Sequence, residues 1–131
     1  MDTSAFVKLV VPEPETEALL AALTPEDRMV ASSVLEVETL RAVRRAKGAE
    51  GLENARRQLA GVGLLPLTAK VRGRVGELEP DTLRSLDAIH LASALSLGER
   101  LDCLYAYDTR MIAVAQTQGL SICAPRVESS G

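Results

Sequence analysis

Short apolar runs alternate with longer helical patterns along this chain. Met29-Val30-Ala31, closed by Ser32 and Ser33, predicts a short buried strand. Leu64-Leu65-Pro66-Leu67 predicts a second, and Pro66 argues for an edge position or a strand end. Leu101 to Tyr107 and Leu120 to Cys123 predict two more. Between them lie helical patterns. Glu15 to Leu23 is entered through Pro12 and Pro14, and Leu35 to Lys47 is followed by Gly48. Leu52 to Leu59 reads as the return arm of a helical hairpin. Leu86 to Leu97 is almost wholly apolar and stops at Gly98, while the amphipathic run Thr109 to Gln118 stops at Gly119. Strands separated by helices predict an α/β fold with right-handed crossovers and a parallel sheet covered on both faces. The expected first strand is the anomaly, because only Met1 precedes Asp2. Either that strand is very short or the natural start lies upstream.

The chain's 131 residues suit one domain spanning 1–131, with Glu128 to Gly131 reading as a frayed tail. Apolar residues make up 47%, enough for a core without staples. Phe6, Tyr105 and Tyr107 are the only aromatics, so the core is aliphatic and no base-stacking platform is expected. Cys103 and Cys123 lack metal or redox spacing and read as buried reduced thiols. No leader-like pattern and no run of roughly 18 apolar residues appears, so a cytoplasmic protein away from membranes is expected. Charge is unevenly spread. Nine Lys and Arg between Arg41 and Arg74 face only Glu50 and Glu53, making that segment +7 and leaving −10 for the rest of a chain of net charge −3. Such a segment suits a polyanion, though on charge alone a solvated helical hairpin is the favoured explanation.

Acids rarely enter a core unless paired or bound to metal. Asp2 falls at a predicted strand-to-helix junction, and Asp108 ends the strand that precedes the last helix. Both then lie at the carboxyl edge of the sheet, where open α/β folds bind ligands. Asp87 enters the first turn of an all-apolar helix. For Asp87 and Asp108 a plain helix-start role is the competing explanation. Glu36 and Glu38 stand about 200° apart on a helix, so only one of them faces any single pocket, and periodicity does not choose. Converging carboxylates require a cation, and carboxylate oxygens with water suit Mg²⁺ or Mn²⁺. His90, the only histidine, shares a face with Asp87 and reads as a packed structural residue.

These residues resemble a known family. Asp2-Thr3-Ser4-Ala5 resembles the opening motif of PIN domains. Ser33-Val34-Leu35-Glu36-Val37-Glu38-Thr39-Leu40-Arg41-Ala42 resembles the second, with Ser five residues before the acid and Arg three after it. That alignment selects Glu38. Leu86-Asp87-Ala88-Ile89-His90-Leu91-Ala92-Ser93-Ala94 resembles the third motif of VapC toxins, and Tyr107-Asp108-Thr109-Arg110-Met111 the fourth. The resemblance implies a metal-dependent ribonuclease, the toxin of a type II toxin–antitoxin pair. It implies a catalytic set of Asp2, Glu38, Asp87 and Asp108, with Asp2, Asp87 and Asp108 on Mg²⁺ or Mn²⁺ and Ser4 in support. It further implies RNA as substrate, a VapB-like antitoxin as partner, and a homodimer. The basic segment then guides RNA through Arg41, Arg44 and Arg45.

Two rivals remain. A receiver- or phosphatase-like domain needs a Lys at another strand end, and neither Lys8 nor Lys70 is so placed. A non-enzymatic PIN-like module with a weakened metal site is opposed by the four acids, since drift removes unfavourable like charges.

Overall fold

The computed structural model describes residues 1–126. The tail expected from Glu128 to Gly131 lies outside the described residues. The elements run α1 (Thr3–Val10), α2 (Thr16–Ala22), β1 (Val30–Ser32), α3 (Val34–Leu59), β2 (Gly63–Leu65), α4 (Ala69–Glu77), α5 (Ser85–Leu97), β3 (Leu104–Tyr105), α6 (Thr109–Thr117) and β4 (Ile122–Cys123). A 3₁₀ turn, Gly98–Arg100, follows α5.

β1 pairs in parallel with β2, and β3 in parallel with β4. The two pairs are joined by the first two residues. The Met1 ammonium donates to the Val30 carbonyl at 2.9 Å, and the Asp2 amide donates to the Tyr105 carbonyl at 3.0 Å. Met1 and Asp2 therefore occupy the place of a central strand between β1 and β3. Among the described residues these two stand where the sequence pattern expected a first strand.

Side chains of β3 and its extension alternate between the two faces, as the period of a strand requires. Leu104 and Ala106 join a core with Leu91 and Ala94 of α5 and Met111 and Ala115 of α6. Tyr107 and the partly buried Tyr105 join the other core, with Phe6 of α1, Leu19 of α2, and Leu35 and Val43 of α3. The sheet is therefore covered by helices on both sides, the α/β arrangement expected.

The helical hairpin is also present. α3 breaks at Gly48, whose φ of 68° and ψ of −166° belong to a region that only glycine occupies readily. A Cβ placed on Gly51 would lie 2.9 Å from Val43 Cγ1, whereas a continuous helix separates such positions by about 12 Å. The chain has turned back on itself. Leu35, Thr39 and Val43 of the first arm and Ala55 and Leu59 of the second are buried, which presents the long cationic side chains outward. Cys103 and Cys123 are free but only partly buried, a correction to the expected full burial. Burial still pushes the Cys103 thiol up to about 12, which leaves it unreactive at neutral pH.

Candidate functional site

The carboxyl ends of the central segment, β1 and β3 meet on one edge of the sheet, and helices start there. Each start is chemically marked. Asp2 caps α1: its Oδ1 accepts from the Ala5 amide at 3.1 Å and from Ser4 Oγ at 2.7 Å. Ser4 Oγ in turn accepts from the Tyr107 amide at 3.0 Å, tying α1 to the segment after β3. Asp108 caps α6, with Oδ1 accepting from the Arg110 and Met111 amides at 2.9 and 3.0 Å. Asp87 sits in the first turn of α5, but the N-cap there is Arg84, which makes no side-chain capping bond. The helix-start explanation thus accounts for one oxygen of Asp108. For Asp87 it leaves the favourable charge of an acid in a first turn, with no hydrogen bond to its side chain among the described residues.

The second acid is placed by α3. Glu36 is exposed and lines a groove with Arg56 of the return arm. Glu38 instead turns toward α1 and α5. Its Oε1 accepts from Thr3 Oγ1 at 2.8 Å and lies 2.7 Å from His90 Nε2. Thr3 Oγ1 and His90 Nε2 are 3.2 Å apart, so the three side chains form one compact network. A carboxylate only accepts, so Nε2 carries the proton directed at it.

Thr3 is the polar site residue that sequence reasoning missed. His90, read as a packed structural residue on the face of Asp87, is buried at 4% exposure, and the fold adds its contact with Glu38.

The electrostatics follow from these positions. Burial raises the Asp2 carboxyl above its ordinary range against the opposing hydrogen bonds of Ser4 and Ala5 and the nearby His90. Asp87 is also raised, first by burial and then by the negative charge of Asp108, with Glu38 adding to it. Burial acts on Glu38 in the same sense, but hydrogen bonds from His90 and Thr3 outweigh it and hold the carboxyl low. Asp87 is thus close enough to feel the charges of both Asp108 and Glu38.

Asp87 and Asp108 line one cavity of about 620 Å³, with Arg84 and Arg110 on its walls. Arg41, Arg44 and Arg45 are exposed on α3, and none of them lines this cavity. Among the described residues no three His, Cys, Asp or Glu side chains close on a point that would hold a metal ion. The donor chemistry nonetheless suits a hard divalent cation. Among the described residues no protein hydrogen bond engages Asp2 Oδ2, Glu38 Oε2, Asp108 Oδ2 or either oxygen of Asp87.

The raised carboxyl of Asp87 has a testable consequence. Its ionised form is disfavoured in the folded state relative to the unfolded chain. Stability is therefore lost as pH rises through a window that begins near the ordinary value of 3.8, and is regained below it. Asp87→Asn is expected to raise the melting temperature at neutral pH in metal-free buffer, with the gain shrinking toward acid pH. Calorimetric scans of both proteins across pH check this; a variant less stable than the parent at neutral pH would contradict it.

Comparison with known proteins adds the lineage. The model of the PIN-domain family matches residues 1–118. Ribonuclease VapC46 of Mycobacterium tuberculosis (strain ATCC 25618 / H37Rv) is 42% identical over 125 residues, covering 95% of each chain. Ribonuclease VapC47 and ribonuclease VapC35 of M. tuberculosis (strain CDC 1551 / Oshkosh) are 39% and 38% identical over 129 residues, again covering 95% of each chain.

Proposed function

Because the chain belongs to the PIN-domain family, we propose that it is a ribonuclease that hydrolyses RNA phosphodiester bonds with Mg²⁺ or Mn²⁺ and acts in the cytoplasm as the toxin of a toxin–antitoxin pair. The observation that supports this best is the pairing of Asp87 and Asp108 on one open cavity. The charge of Asp108 opposes the ionisation of Asp87, and among the described residues no hydrogen bond engages the Asp87 side chain. Among the described residues no helix is long and apolar enough to cross a membrane.

In this reading Asp2, Asp87 and Asp108 hold the cation and Glu38 completes the acidic set. The chemistry supplied there by Mg²⁺ or Mn²⁺ is Lewis acidity toward the phosphoryl group and a lowered pKa for water. The chain's own contribution is placement. Ser4 and the Ala5 amide fix one oxygen of Asp2 and leave the other free. The first turn of α6 does the same for Asp108. His90 and Thr3 fix one oxygen of Glu38 and keep that carboxylate ionised.

A VapB-like antitoxin and a second copy of this chain are the proposed partners. The carboxylate pair Asp87 and Asp108 suits an arginine side chain from an inhibitory partner. The second reading, a non-enzymatic PIN-like module with a weakened metal site, is favoured by one observation: no three acids close on a single point among the described residues.

Induction of the chain alone in a bacterial host separates the two. Growth arrest with RNA fragmentation is expected, and its absence for Asp87→Asn. Equal growth of cells expressing either protein at matched levels would overturn the toxin reading.

A further inference from the structure

The cavity beside Asp87 and Asp108 carries two cations in positions that local stability does not favour. Arg84 is the N-cap of α5, where Ser, Thr, Asp or Asn would satisfy free amides and where arginine makes no capping bond. Arg110 sits in the first turn of α6. The positive end of a helix dipole opposes a cation at both places, and arginine normally gathers at the other end. Both side chains are exposed, and both line the same cavity of about 620 Å³.

Two acids stand in that cavity, yet among the described residues neither arginine closes to ion-pair distance on a carboxylate, the Arg84 charge acting on Asp87 only from further away. The ion pairs among the described residues are those of Lys8 with Glu13 and Glu15 and of His90 with Glu38. Two guanidinium groups are therefore left available on the walls of the groove that holds the acidic pair. Guanidinium forks match phosphate oxygens in a bidentate geometry.

From this arrangement we infer that Arg84 and Arg110 form a phosphate subsite for single-stranded RNA, gripping backbone phosphates that flank the bond being cut. The inference rests on the ribonuclease reading and extends it. Successive phosphates of a strand are repelled by the carboxylates at the cutting point. A cation on either side offsets that repulsion and fixes the strand's register. It also relocates RNA contact. The expected guides Arg41, Arg44 and Arg45 lie on the hairpin and line no part of this cavity, whereas Arg84 and Arg110 border the acids themselves.

The test is the salt dependence of binding. A fluorescein-labelled single-stranded RNA of randomised sequence is titrated with the full chain in Ca²⁺ buffer, to hold back cleavage, over a series of KCl concentrations. Each phosphate contact contributes about 0.7 to the slope of log K against log salt for single strands. Arg84→Gln with Arg110→Gln is expected to reduce the slope by about 1.4, and each single change by about half of that. The control pair Arg56→Gln with Arg57→Gln, on the return arm of α3, is expected to leave the slope near that of the parent. A double variant with the parent's slope and affinity overturns the inference while the parent still binds. A parent that binds no RNA at any salt removes the ribonuclease reading, and the inference with it. Unchanged RNA binding combined with lost association of a co-expressed inhibitory partner assigns the arginines to a protein carboxylate, which also overturns it.

Discussion

Asp87→Asn is expected to abolish RNA cleavage while leaving a folded protein. The Asp87 side chain makes no hydrogen bond among the described residues, and the change is isosteric, so the fold loses only the charge of an acid in the first turn of α5. The expected loss is more than about 100-fold in kcat/KM, beyond the roughly 10–100-fold typical when only an outer partner of a metal ligand is removed. Asp108→Asn is expected to behave alike. Asparagine also accepts at an N-cap, so the start of α6 survives. Asp2 is a poorer probe, because it is 4% exposed and its Oδ1 organises the first turn of α1. The diagnostic feature of Asp87→Asn is opposition of sign. Stability without metal rises as the burial penalty on the charge and then the repulsion from Asp108 disappear, and activity falls. A residue that merely shaped the cavity would lose both together. Melting curves and cleavage rates on one preparation check this.

His90→Ala is expected to reduce kcat about 10–100-fold with little change in KM. His90 acts through Glu38: at 2.7 Å its Nε2 fixes which oxygen of that carboxylate remains free. Without it Glu38 loses its strongest restraint, and the Thr3 hydroxyl alone holds it at 2.8 Å. His90→Gln keeps a nitrogen donor at comparable reach and is expected to recover most of the rate. That recovery separates positioning from simple packing, because the two substitutions disturb the surrounding apolar helix in similar ways. Among the described residues His90 Nδ1 and Ser93 Oγ are both buried without a partner, and both residues line a void of about 10 Å³. That is about one water by this measure. Equal kcat values for the Ala and Gln variants would contradict the positioning role.

Much of this was legible from residue pattern because the punctuation is strong. Gly98 and Gly119 both take positive φ and end their helices, as the pattern required. Gly48 breaks α3 where the hairpin was expected. The short apolar runs became strands where they pair in parallel, β1 and β3 contributing buried residues and β2 and β4 staying partly exposed. The misses have physical causes. α4 was not foreseen because Gly73 and Gly76 interrupt a strongly charged segment. It forms through the Thr68 cap, whose hydroxyl accepts from the Val71 amide, and through packing of Val71 against the body of the fold. A strand of two residues carries no periodicity, so the central segment became visible only through its bonds to Val30 and Tyr105. The network of Thr3, Glu38 and His90 joins residues from three distant parts of the chain, a relation that no local pattern encodes. Arg84 and Arg110 escaped notice for the opposite reason. Each belongs to a helix start, and only the fold sets the two starts around one cavity.

The most direct measurement is cleavage of total bacterial RNA, tRNA included, by the purified chain freed of any partner. Parent and Asp87→Asn are compared in Mg²⁺, Mn²⁺ and EDTA. Discrete fragments from the parent in either metal, absent in EDTA and absent for Asp87→Asn, are the predicted result. Cleavage that persists in EDTA, or that Asp87→Asn retains, would contradict a metal-dependent site built on the Asp87–Asp108 cavity.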